Sequence, residues 1–253
     1  MGYDSSVTAA MIAGMIEGLI TLVGGVWACV KGFGPYRRDD ARWAEWHRKY
    51  GGVLKVCGPL LILFGLFRMA TPFVLAAAAN RPVENFEIYP IRPGNTWIYA
   101  GAKSDITIQI PCHESAAGAL CARRELLVNG KVLLTDHLRP DQGVLLKRTT
   151  RGLPYLPPLP LVKDLPGPAS WDYRSSKGTL AVHCEQTDGG TVQTPQGPFE
   201  KTLLVTMTGT DENGEVLTKH WYARGVGLIK EYNKSKGKEY VMELKSFTPG
   251  SGP

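Results

Sequence analysis

The chain has 253 residues, 43% of them hydrophobic, and a formal net charge of +6. That length fits one large domain, or one domain with appendages. The cations are local: residues 31–55 hold seven against three anions, whereas residues 80–253 hold 21 against 18. Such a patch is not the extended positive field that grips a phosphate backbone, which excludes nucleic acid as a partner.

Residues 8–30, "TAAMIAGMIEGLITLVGGVWACV", are apolar except for Glu17, and residues 53–79 are apolar except for Lys55 and Arg68. Each run exceeds the roughly 20 residues a helix needs to cross a hydrocarbon core. A core helix of a soluble protein rarely stays apolar on every face for so long. The first run lacks the basic start of a cleaved signal, and although "VLAAAAN" resembles a cleavage site, two retained helices are expected. The predicted organisation is a transmembrane hairpin over 1–79, with a cytoplasmic basic loop at 31–52, and a second domain over 80–253. Basic loops stay inside, so both termini and the second domain are expected outside, on the periplasmic face of a bacterial inner membrane.

Within the basic loop, "DDARWAEWHRKY" predicts a short helix capped by Asp39 or Asp40. Trp43, Trp46 and Tyr50 share one face of it, as interfacial anchors lying against membrane lipid. Glu17 is 13 residues from Val30 and Arg68 is 15 from Val53, which brings them level in an antiparallel hairpin. An intramembrane Glu17–Arg68 pair is expected, because an unpaired charge at that depth costs several kcal/mol. The alternative has Arg68 reaching the outer interface and Glu17 meeting a partner helix. Ala10, Gly14 and Gly18 recur every four residues, a spacing that lets helix backbones approach closely.

The remainder reads as short alternating runs broken by turns. "ELLVNGKVLL" sets Asn129-Gly130 between apolar arms, a hairpin signal. Further hairpins are expected around 211–214 and at the Lys/Gly/Ser turn near 236. Only "HESAAGALCARRE" carries a helical period. The fold class is therefore α + β: a two-helix membrane anchor followed by a mainly antiparallel β domain, a curved sheet or half-barrel. "PGNTWIY" and "PGPASWDY" each turn on Pro-Gly and then write Trp and Tyr two apart. Residues at i and i+2 share a strand face, so Trp97 with Tyr99, and Trp171 with Tyr173, are assigned with Trp221 to a core or cavity wall.

"YPIRPGNTWIY", "TPQGPFE" and "WYARGVGLIKEY" resemble a family of bacterial envelope proteins, many of them lipoproteins and many of unknown function. The resemblance covers roughly 89–232 and is most specific in the closing motif. It implies an all-β, half-barrel fold of the lipoprotein-carrier kind and no established catalysis. This chain departs from the family by lacking a lipobox cysteine and carrying a two-helix anchor.

Cys112 and Cys121 bracket eight residues, so a local disulfide is a candidate in an oxidising compartment. The alternative metal set of Cys112, His113, Cys121, His183 and Cys184 lacks ligand-like spacing, and no metal or cofactor is expected. "LPYLPPLPLVKDLPGP" reads as extended polyproline: a strap, a docking strip or a plain connector. No phosphate loop, nucleophile elbow or HExxH appears, and His137 and His220 stand isolated. The reading is a non-catalytic accessory or scaffold subunit partnering other integral membrane proteins. The alternative is a module holding an apolar ligand against the aromatic wall.

Overall fold

A computed structural model describes residues 5–33, 41–79, 81–212 and 214–250; for 5–11, 41–43, 75–76 and 78–79 it describes the backbone alone. The chain divides into two compact units, Met1–Arg81 and Pro82–Pro253.

The first unit is an antiparallel helical pair, α1 (Ser5–Phe33) and α2 (Ala41–Ala79). Both are long and apolar enough to cross a membrane, and only 17% and 11% of their apolar windows are buried. Ile20, Val23, Val30, Leu63 and Phe67 all point outward, more than half exposed. A water-soluble core helix hides such side chains, so the unit is built for lipid.

The expected break between a surface helix and the second span is absent: residues 41–79 form one helix. Gly51 does not end it, because its missing Cβ makes room for the His47 ring, 2.7 Å from where that atom would sit. His47 in turn faces the Gly32 carbonyl of α1 at 3.2 Å. At 1.5 Å per residue α2 is roughly 58 Å long, nearly twice a hydrocarbon core, and so extends well past it. Asp39 and Asp40, the expected caps, lie outside the described residues, as do the side chains of Ala10 and Trp43.

The second unit is one antiparallel sheet of thirteen strands. In chain order they are β1 (Thr96–Ala100), β2 (Ile106–Gln109), β3 (His113–Ala116), β4 (Ala119–Val128), β5 (Lys131–Asp141), β6 (Val144–Thr150) and β7 (Leu153–Lys163). There follow β8 (Ala169–Arg174), β9 (Leu180–Thr194), β10 (Gly197–Asp211), β11 (Gly214–Ala223), β12 (Gly227–Ser235) and β13 (Lys238–Thr248). The path runs β7-β6-β5-β4-β2-β1-β13-β12-β11-β10-β9-β8, with β3 paired to β4 alone. Asn129 and Gly130 both have positive φ, the type I′ geometry expected between β4 and β5. "HESAAGALCARRE" is not helical. It folds as the β3–β4 hairpin, because Ala117-Gly118 forms the same turn and Leu120, Ala122, Arg124 and Leu126 alternate along β4.

The sheet curls until its edges β7 and β8 face one another, leaving it nearly closed. They are joined by isolated bonds rather than by a ladder: Ser176 N–H donates to Leu156 O at 2.6 Å, and Tyr173 hydroxyl to Pro157 O at 2.9 Å. Four prolines in β7 (Pro154, Pro157, Pro158 and Pro160) carry no N–H, so a full ladder cannot form there. The proline-rich segment is thus an edge strand paired through bulges to β6, not a free polyproline strap.

The concave face is filled from below by the segment leading into β1. Phe86, Ile88, Tyr89 and Ile91 are at most 5% exposed and pack with Trp97, Tyr99, Leu138, Leu145, Tyr222 and Leu244. Burying each such side chain contributes about 2 kcal/mol or more, which makes this cluster the main source of the unit's stability.

Candidate functional site

In the helical unit the Arg68 guanidinium meets the Glu17 carboxylate. Their levels follow from the packing. A Cβ on Gly18 lies 3.0 Å from Gly65 O, and one on Gly25 lies 3.0 Å from Gly58 O. The contact therefore repeats every seven residues, with Gly18 and Gly25 on α1 facing Gly65 and Gly58 on α2. Of the expected stripe, Gly18 sits at this close contact, and a Cβ on Gly14 would lie 3.9 Å from Pro72 Cγ of α2, an ordinary packing distance. A seven-residue glycine period, visible in the sequence, marks this close contact. Glu17 and Arg68 flank it, their side chains 63% and 41% exposed, at an opening of about 390 Å3 lined also by Ile20, Thr21 and Phe64. Of the expected interfacial anchors, Trp46 and Tyr50 pack ring to ring at 5.6 Å, one turn apart on α2.

The aromatic residues of the β unit divide. Trp97 and Tyr99 are fully buried, and Trp97 stacks at 5.2 Å on both Tyr89 and Phe247. Trp97 Nε1 donates to Val226 O at 2.5 Å and Tyr99 hydroxyl to Leu228 O at 2.7 Å, so both polar tips are satisfied inside the core. Tyr173 is buried at the seam, whereas Trp171 and Trp221 are half-buried beneath Lys163 and Lys230, whose ammonium groups lie 4.7 and 5.8 Å from the ring centres. These rings are packed side chains rather than a cavity wall. One opening in this unit, about 220 Å3, is lined by Asn85, Glu87, Arg92, Asn95, Phe247 and neighbouring backbone.

Charged groups that the sequence reading did not single out lie on the concave face. Arg124 on β4 pairs with Asp136 on β5 because their strands place them directly opposite, on the side shared with Ala122 and Leu138. Thr150 Oγ1 donates to Asp136 at 2.7 Å, and Lys147 Nζ approaches it at 3.4 Å. Burial opposes ionisation of Asp136, but Arg124, Lys147 and the Thr150 bond outweigh it and hold the carboxyl well below the usual range. Across the sheet, Glu231 receives the Tyr240 hydroxyl and faces His220 Nε2 at 3.3 Å. Burial opposes its ionisation too, and the His220 and Tyr240 contacts overcome this, lowering its pKa to about 2. The buried Tyr89 hydroxyl lies beside the Arg124 guanidinium.

His137 is not isolated either. Its Nε2 is 2.7 Å from Glu114 Oε1 and its Nδ1 is 2.6 Å from Thr149 Oγ1. This carboxylate–imidazole–hydroxyl chain has the parts of a nucleophile relay, but the Thr149 side belongs to a residue only 4% exposed. The two contacts tie β5 to β6 and to β3 through one imidazole. Glu114 is lowered chiefly by the bond from His137.

The expected Cys112–Cys121 bridge is not present; all five cysteines are free. Register explains it. Cys121 lies opposite Glu114, while the carbonyl of Cys112 accepts from Arg123 N–H, so the two cysteines are offset along the hairpin. Burial raises the Cys121 thiol, and it raises that of Cys184 to about 11. His183 Nδ1 lies 2.7 Å from exposed Asp172, and no group of three or more metal-ligating side chains occurs among the described residues.

No family model and no curated protein matches the chain. Two solved structures are similar to the β unit. One, from Parabacteroides distasonis ATCC 8503, is assigned as a lipoprotein; it is 13% identical over 65% of this chain and all of its own, with a TM-score of 0.36. The other, from Bacteroides fragilis NCTC 9343, is assigned as an exported protein with a YmcC-like fold; it is 11% identical over 64% of this chain and 99% of its own, with a TM-score of 0.39. At that similarity neither carries a role over to this chain.

Proposed function

We propose that the chain is a non-catalytic accessory or scaffold subunit of an integral membrane assembly in a bacterial envelope. The helices anchor it in the inner membrane, and the β unit works on the periplasmic side. One observation carries this reading: the concave face, where an apolar ligand would sit, is occupied by the protein's own Ile88, Tyr89, Ile91, Trp97 and Tyr99, each at most 1% exposed. A carrier for an apolar molecule needs an open hydrophobic cavity, and a filled interior favours work done by surfaces. The cations between the two spans support the orientation, since short basic loops stay cytoplasmic.

Purification of the tagged chain in mild detergent tests the reading. A second integral membrane protein is expected at fixed stoichiometry. Recovery of this chain with no other protein species overturns the proposal.

A further inference from the structure

The helical unit presents two formal charges to lipid. Among the described residues Glu17 and Arg68 have no partner but each other, and both side chains are more than a third exposed. The nearby hydroxyls are committed elsewhere: Thr21 donates to Glu17 O at 2.8 Å and Thr71 to Phe67 O at 2.7 Å, both within their own helices. In hydrocarbon such a pair is expensive unless another polar surface covers it.

The pair's direction decides what can cover it. Gly18 packs between Gly65 and Met69, and Gly25 between Gly58 and Ile62, so Glu17 and Arg68 stand at one level on neighbouring antiparallel helices. The vector from carboxylate to guanidinium therefore runs across the hairpin, perpendicular to the helix axes. A two-fold axis parallel to those axes reverses every vector perpendicular to it. A second copy related by that axis sets its own dipole antiparallel to the first, with each Glu17 opposite the Arg68 of the other copy. The surface is electrostatically self-complementary, as an isologous contact requires. A foreign helix would have to supply both signs in the right order.

Backbone approach is open on the same flank. Glu17, Thr21 and Gly24 follow each other at helical spacing, and a Cβ on Gly24 meets nothing within 4 Å. Close approach of this kind drives helix association where no hydrophobic effect operates.

We infer that the Glu17–Arg68 face is a docking surface for a second copy of this chain, making the membrane anchor a two-fold dimer of hairpins. The inference rests on the membrane placement proposed above, but not on any foreign partner.

Energy transfer between donor- and acceptor-labelled full-length chains in phosphatidylcholine vesicles tests it, with no other protein present. Transfer is expected to rise with protein-to-lipid ratio and to fit two copies. The Glu17→Leu, Arg68→Leu double variant is expected to lose at least tenfold in association, with helix content by circular dichroism unchanged. The exchange variant Glu17→Arg, Arg68→Glu restores the complementarity and is expected to associate like the parent. A parent chain that stays monomeric at every density, a leucine variant that associates equally well, or an exchange variant that fails to associate overturns the inference. Because the sample holds one protein, any of these results leaves the search for a second subunit by purification unaffected.

Discussion

Gln186, fully buried on β9, binds the backbone of Lys163 on β7 through both ends of its side-chain amide. Lys163 N–H donates to Gln186 Oε1 at 3.0 Å, and Gln186 Nε2 donates to Lys163 O at 2.8 Å. The amide thus stands in for one rung of the ladder that the β7 prolines prevent. It reaches across the seam just where the two edges of the sheet come together.

Replacing Gln186 by Leu leaves the part-buried N–H and C=O of Lys163 without this partner, each costing up to about 1–3 kcal/mol. A loss of about 2–4 kcal/mol is expected, read as a lower thermal midpoint for the β unit. The same change at Gln193, exposed further along β9, is expected to alter the midpoint little.

The buried carboxylates make stability depend on acid. Glu231 falls from an ordinary 4.5 to about 2 on folding, and Asp136 is also lowered. A depressed folded-state value means the unfolded chain binds the proton first as pH drops. The stabilisation is complete above 4.5 and disappears as pH falls toward 2. Urea midpoints measured across that window are expected to fall steeply for the parent. Glu231→Gln is expected to flatten the slope while lowering stability at neutral pH; an unchanged slope counts against a lowered Glu231.

The elements most legible in the sequence were those written in one local signal. Two apolar runs announced α1 and α2, and Asn129-Gly130 announced a hairpin because Asn tolerates positive φ better than most residues. Three further turns of the same form carry a weaker signal, because Ala117, Gln142 and Arg151 hold the first position, at φ of 47° to 51°. Their common mark is one residue and a glycine between alternating runs. The charged groups were harder to see. Arg124 and Asp136 are twelve residues apart and meet only through the β4–β5 register, yet Arg124 does interrupt the core-facing series Ala122, Leu126. The pairing of Glu17 with Arg68 was legible because two helices of known rise reduce to a count of residues from a shared boundary. Cys112 and Cys121 misled, since closeness in sequence says nothing of which way two side chains point across a hairpin.

Free thiols follow directly from that register. In the native protein Cys121 and Cys184 are buried and their thiols raised, so maleimide at pH 7 is expected to spare them. After denaturation without reductant, mass spectrometry is expected to find all five cysteines labelled. A pair that stays unlabelled until reductant is added contradicts the offset between Cys112 and Cys121.

Adjacent glycines in α1 are expected to behave oppositely within the hairpin. A Cβ on Gly25 falls 2.7 Å from Ile62 N and 3.0 Å from Gly58 O, backbone atoms that cannot turn aside, whereas one on Gly24 meets nothing within 4 Å. Gly25→Leu must push the helices apart, and overpacking of this kind costs about 1–3 kcal/mol. Gly24→Leu leaves the α1–α2 contact intact. A donor and acceptor placed on the two helices report the difference in detergent: the separation is expected to grow in the first variant and hold in the second. Equal separations in both variants contradict a hairpin closed by glycines at seven-residue spacing. Should Gly24→Leu also reduce self-association in vesicles while the helices stay together, the flank that carries Glu17 is the one that meets the second copy.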